Sequence, residues 1–143
     1  MASAATIIPI PETHKDLLTG AVVVTLVTVM PDGTPQATPV WVDYDGQHLI
    51  VNTARGRQKD RNMQRRSKVA VVAIDPKNPY RWLEVRGEVD GISEVGAVDV
   101  INKLAKKYRG VDSYYGGTAP AERANQETRV TYKIRPLHVN YSR

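Results

Sequence analysis

The chain reads as a mainly β protein, a small antiparallel barrel carrying a few helices, and three observations predict it. Its apolar set is rich in valine and contains no phenylalanine, a choice that suits pleated strands better than helix bundles. Six or seven segments show strand patterning and are parted by short Pro-, Gly- and Asp-containing turns. Only one segment has the length and period of a substantial helix. Short antiparallel strands leave exposed edges unless the sheet closes on itself, and closure makes a barrel. With 143 residues, 41% hydrophobic and 24% charged, one domain over residues 1–143 with a proper core is expected.

The elements follow in order. Met1–Ile10 is small, apolar and unpunctuated, and is expected to be a loose arm. Thr13-His-Lys-Asp16 fits the capping pattern that opens a helix, here a short one through Leu18. Ala21–Met30 is a β-branched run ended by the turn Pro31-Asp32-Gly33. Gln36–Tyr44 is the second strand, and Asp45-Gly46 turns it tightly into a third at His48–Thr53. Gln58–Arg66 is a short helix, and Lys68–Asp75 is a strand stopped by Pro76 and Pro79. Arg81–Ile92 alternates between two chemically different faces. Glu94–Tyr108 is the long helix, with Val98, Ile101, Ala105 and Tyr108 at helical spacing. Arg109–Glu127 reads as a long loop with room for a helical turn, and loops of that length in compact domains are often functional. Thr128–Arg135 and Leu137–Tyr141 close the chain as two strands split by Pro136.

Several chemistries are excluded. There is no cysteine, so disulfides and thiolate metal sites are out. His14, His48 and His138 sit on different elements without the spacing of a metal site. No nucleophile elbow, Walker loop or Gly-x-Gly-x-x-Gly turn occurs. Ala21–Met30 is too short to cross a bilayer, and no basic stretch followed by an apolar run opens the chain, so a cytoplasmic protein is expected. What remains is a binding protein, or an enzyme whose chemistry belongs to a cofactor.

The positive charge is local. Of 20 basic residues seven lie within the fourteen from Arg55 to Lys68, with Asp60 the one acid among 15, which leaves 13 bases against 14 acids elsewhere. If Gln58–Arg66 is helical, Lys59, Asn62, Met63 and Arg66 share one side, and Arg57 precedes the first turn. Arginine offers forked donors, lysine a point charge and asparagine a neutral amide, a set that can hold a phosphate against free amides at a helix start. The plain alternative is a solvated basic face.

Three stretches then fall in a telling order: Gly33-Thr-Pro-Gln-Ala-Thr-Pro39-Val40-Trp41, Leu49-Ile-Val-Asn52-Thr53 and Arg57-Gln-Lys59-Asp-Arg61-Asn62-Met63. With Arg81-Trp82-Leu-Glu-Val-Arg-Gly87-Glu and Thr128-Arg-Val-Thr-Tyr-Lys-Ile-Arg135-Pro, the chain resembles the pyridoxamine phosphate oxidase-like split-barrel flavoproteins. Within them it looks closest to the branch that uses the deazaflavin coenzyme F-420 in place of FMN.

That resemblance implies a homodimer of split β-barrels with two cofactor sites in clefts between subunits. It implies that Arg57 and Lys59 bind the phosphate with Asn62 supporting them. It puts Arg55 near the ribityl or acidic tail. Thr38, Pro39 and Val40 would present backbone to the ring, although Pro39 stands where relatives often carry a small polar residue. Asn52 and Thr53 would line the strand beneath, and Trp82 would pack on the cofactor from the partner. Tyr114 and Tyr115 are candidates for a substrate wall.

The leading expectation is an F-420-dependent oxidoreductase that moves a hydride to or from a small organic substrate. FMN in the same fold, giving a flavin reductase or oxidase, is the alternative, since both ligands carry phosphate on a ribityl chain. The extra cations Arg55, Arg61 and Arg65 lean toward the acidic tail of F-420. A non-catalytic coenzyme-binding protein fits the same residues. A nucleic-acid partner fits poorly, because no aromatics interleave with the cations. No residue is identified as a proton donor.

Overall fold

The computed structural model describes residues 6–143. Among them seven strands form one antiparallel sheet flanked by three helices. In chain order these are α1 (Asp16–Thr19), β1 (Val24–Val29), β2 (Pro35–Val40), β3 (Asp43–Tyr44), β4 (Leu49–Ala54), α2 (Gln58–Arg65), β5 (Lys68–Asp75), β6 (Asn78–Ser93), α3 (Ala97–Arg109) and β7 (Arg129–Tyr141). A 3-10 turn at Ala121–Asn125 interrupts the long loop. Alternate residues point inward, so Leu26, Leu49, Val51, Val71, Leu83, Val85, Tyr132 and Ile134 are buried together. Each such side chain contributes about 1.5–3 kcal/mol of burial.

The strand order β2-β1-β5-β6-β7-β4-β3 puts two sequence neighbours, β2 and β3, at opposite edges. Only Trp41 and Val42 join them, so the sheet must curl until its edges meet. The one strand expected over Gln36–Tyr44 is therefore two, because β2 pairs with β1 and β3 with β4. The crossing leaves backbone groups outside either ladder, and α3 satisfies them. The Val42 amide donates to the Tyr108 hydroxyl at 3.1 Å, and that hydroxyl donates to the Val22 carbonyl at 2.6 Å. Lys107 Nζ donates to the carbonyls of Val42 at 2.6 Å and Leu18 at 3.0 Å.

Other expectations shift for local reasons. β7 runs unbroken through Pro136. Its partner β6 changes register between Arg86 and Gly87, and Gly87 stands opposite Pro136, so the missing proline amide falls at a bulge. Glycine is needed there, because a Cβ would collide with the Arg135 carbonyl oxygen. Thr13 does not cap α1: its hydroxyl bonds His14 Nδ1 at 2.8 Å, and the helix begins only at Asp16. In α3 the buried stripe is Ala97, Ile101, Leu104 and Ala105, whereas Val98 faces outward. Residues 1–5 of the expected loose arm lie outside the described residues; its end is packed, with Ile10 in the core. No helix of the described residues is long and apolar enough to cross a membrane.

Candidate functional site

The basic segment is organised by its one acid. Asp60, in the first turn of α2, is buried and accepts hydrogen bonds from the Tyr132 hydroxyl (2.6 Å), the Gly56 amide (2.9 Å), Gln64 Nε2 (3.0 Å) and Arg55 Nη1 (3.0 Å). Burial pushes its carboxyl up, but these donors outweigh that and hold it below the ordinary aspartate value. Burial, with the same carboxylate as neighbour, pushes the Tyr132 hydroxyl well up. The helix start is thereby pinned to β7. No side chain caps that start.

The expected helix face exists, but it turns inward. Asn62 and Met63 are buried against the barrel. Asn62 Nδ2 donates to Thr28 Oγ1 at 3.0 Å, and its Oδ1 accepts from Gln58 Nε2 at 2.8 Å and Arg66 Nη2 at 3.2 Å. Arg66 Nε in turn donates to the Val29 carbonyl at 2.6 Å. Asn62 and Arg66 thus fasten α2 to β1, and the packing of this face leaves only its first cation free.

That cation, Lys59, opens into a cavity of ≈ 340 Å³. Its walls combine Arg57, Lys59 and Arg129 with Asn52 and Thr53 of β4, and Pro39, Val40 and Trp41 at the end of β2. Tyr114, Thr118, Val23 and Ile101 complete them. Burial, then the charges of Arg57 and Arg129, lower the Lys59 pKa. Thr53 is buried, and its Oγ1 has no hydrogen-bond partner among the described residues. A buried hydroxyl left unpaired in a cavity wall fits a site built to receive a polar ligand.

The predicted set is therefore divided. Pro39, Val40, Asn52, Thr53, Arg57 and Lys59 come together; Thr38, Arg55, Asn62 and Trp82 do not line the cavity. Arg55 is held by Asp60 and by Glu94 at 2.8 Å. Trp82 lies on β6 opposite Ile74, with its amide donating to Ser142 Oγ at 3.0 Å.

Sequence reasoning missed two walls. Arg129 is buried at the start of β7, its Nε donating to Asn52 Oδ1 at 2.9 Å and its guanidinium 5.1 Å above the Tyr114 ring. Trp41 stacks on Tyr108 with centroids 5.2 Å apart and meets Tyr114 edge-on at 6.1 Å. A strand-end arginine beside a polar strand residue carries no signal in one sequence, whereas Tyr114 was visible as an aromatic in a long loop.

Comparisons with known proteins establish the family and the fold. The family described as pyridoxamine 5'-phosphate oxidase matches residues 10–143. A solved F-420 reductase is 36% identical with a TM-score of 0.78, covering 92% of this chain and 98% of that one. Two more distant structures share the fold. A conserved hypothetical protein of Mycobacterium tuberculosis is 21% identical with a TM-score of 0.69, covering 99% of this chain and 89% of that one. HupZ of Group A Streptococcus is 19% identical with a TM-score of 0.65, covering 92% and 93% respectively. A search of curated proteins gives no match. With the family pattern running through nearly its whole length and a reductase that similar to it, the chain belongs to the pyridoxamine 5'-phosphate oxidase-like split-barrel family.

Proposed function

We propose that the chain is an oxidoreductase that binds coenzyme F-420 in the Arg57–Lys59 cavity and moves a hydride between it and a small organic substrate. One observation carries this reading: two cations converge on a cavity at an uncapped helix start, beside the unpartnered hydroxyl of Thr53. Such a wall matches a phosphate on a polyol chain. The deazaflavin is favoured by the 36% identity to an F-420 reductase over 92% of this chain. Bound there in its reduced form, that coenzyme supplies a hydride and no single electrons.

The chain's own residues bind, orient and exclude water. Arg57 and Lys59 hold the phosphate, and Thr53 Oγ1 donates to the neighbouring polyol. Pro39 and Val40 offer backbone to the ring, while Trp41 and Tyr114 wall one side against solvent. Asn62 and Arg55 act indirectly, by fixing α2. In a homodimer with sites between subunits, Thr38 completes the ring contact and Trp82 reaches the partner's cofactor. FMN is the second reading, and Arg55 favours it: its charge is engaged by Asp60 and Glu94, and FMN has no acidic tail to use that charge.

Titrating the protein separately with F-420 and FMN, followed by fluorescence and by retention through a desalting column, tests the cofactor. Lys59→Ala should weaken coenzyme affinity about 100-fold, the loss of one charge-assisted contact in a partly desolvated site. The single-turnover rate at saturation should change less than about threefold, because the phosphate is remote from the reacting carbon. Equal affinity of variant and wild type defeats the assignment. A protein that binds tightly but turns over none of a broad panel of acceptors is a carrier.

A further inference from the structure

We infer that Arg129 is a third anion-gripping residue of this cavity, and that Glu127 is the counter-ion an incoming phosphate ester displaces. This rests on the cavity of the proposed function and extends it to how the site is kept ready. Arg129 is 5% exposed and cannot be excused as a solvated surface charge. It is aimed by three contacts: Nε on Asn52 Oδ1, Nη1 on Glu127 Oε1 at 3.3 Å, and the face of Tyr114. Nη2 donates to nothing among the described residues and Nη1 uses one of its two protons, so three guanidinium protons remain unused.

The charges do not balance. Arg57, Lys59 and Arg129 line the cavity, and Glu127 is the one carboxylate that reaches any of them among the described residues. It is shared, at 3.6 Å from Arg57 Nη2 and 3.3 Å from Arg129 Nη1. Lys59 has no carboxylate within 4.0 Å among those residues. The wall therefore holds two uncompensated positive charges, a costly state for partly desolvated groups unless an anion completes it. A phosphate ester with about two negative charges at or near the phosphate fits.

Glu127 is suited to yield. Both guanidinium contacts are long, while Tyr115 donates its hydroxyl to Glu127 Oε1 at 2.8 Å. When an anion takes over Arg57 and Arg129, Tyr115 still holds the carboxylate. Until then Glu127 lowers the cost of clustering cations at the site.

The test compares wild type with Glu127→Gln, Arg129→Gln and Arg129→Lys. Inorganic pyrophosphate is titrated by calorimetry, F-420 and FMN by fluorescence, and the Tm is recorded for each. Glu127→Gln should tighten binding of pyrophosphate and coenzyme about three- to tenfold, since a competing charge goes while an acceptor for Tyr115 stays. Arg129→Gln should weaken it at least about tenfold, with Arg129→Lys between, because lysine keeps the charge and loses the fork. Unchanged affinity in Arg129→Gln with only a lower Tm makes Arg129 a strut for β4 and overturns the inference. Unchanged or weaker binding in Glu127→Gln overturns the displaced counter-ion. Should Arg129→Gln not fold, the other two variants decide by the same criteria. Wild type that binds pyrophosphate but neither coenzyme removes the cofactor reading and leaves the grip intact; wild type that binds coenzyme with all variants alike removes the grip alone.

Discussion

Two half-buried lysines, Lys107 and Lys59, occupy opposite situations in this molecule. Burial lowers the pKa of both. Lys107 is compensated: its ammonium donates to two carbonyls and lies 3.6 Å from Asp43, which pulls its pKa back up. Among the described residues the charges acting on Lys59 are those of Arg57 and Arg129, which lower it further. Equal burial thus serves different ends. A desolvated charge whose donors are all used closes a gap in the fold; one left unsatisfied among like charges is stabilised only by something that binds.

The comparison breaks most visibly at Lys107. Lys107→Met should leave the Leu18 carbonyl without a donor and the Val42 carbonyl with only the 3.3 Å contact from the Tyr108 hydroxyl, and cost about 2–3 kcal/mol, roughly 6–12 °C in Tm by thermal melting. Lys59→Met should do the reverse, raising the Tm of the ligand-free protein by about 1–3 °C while weakening coenzyme binding about 100-fold. The sign follows from linkage: a lysine whose folded pKa lies below its unfolded value opposes folding while charged, and the penalty fades as pH rises through the folded pKa. A Tm drop at Lys59 matching that at Lys107 erases the distinction.

Coenzyme affinity sharpens it with pH. An anion favours charged Lys59 and raises its pKa, so affinity should be level below the ligand-free pKa and decline as pH climbs through it. Titrations from about pH 6 to 10, spanning the range below an ordinary lysine, should show this decline in wild type and a flat profile in Lys59→Met. The smallest effect is at Thr53. Thr53→Val removes the unpartnered hydroxyl and should stabilise the ligand-free fold by about 0.5–1 kcal/mol while weakening coenzyme binding severalfold. Destabilisation on that change means the hydroxyl has a partner in solution.

Much of this was legible in sequence because it depends on local pattern. Valine-rich alternation marked the strands, and Asp45-Gly46 marked the turn that precedes β4. The order of Pro39-Val40, Asn52-Thr53 and Arg57-x-Lys59 identified six residues that the fold gathers in one wall. What was illegible depends on partners distant in the chain. Pro136 reads as a strand breaker until Gly87 is found across from it. Asn62 has the right spacing for a ligand contact, but spacing does not say which way a helix faces, and Thr28 and Arg66 turn it inward. Arg129 becomes a cavity residue only because Asn52 and Tyr114 close around it.

The two-residue crossing at Trp41 and Val42 bears on how lineages of this chain can drift in length. An inserted residue there would slacken the tether between the margins of the cylinder and pull Val42 away from Lys107 and Tyr108. Insertions near Ala121–Asn125, a surface turn with no buried residue, meet no such constraint. Gains and losses of sequence should therefore accumulate at that turn, while the crossing keeps a fixed count.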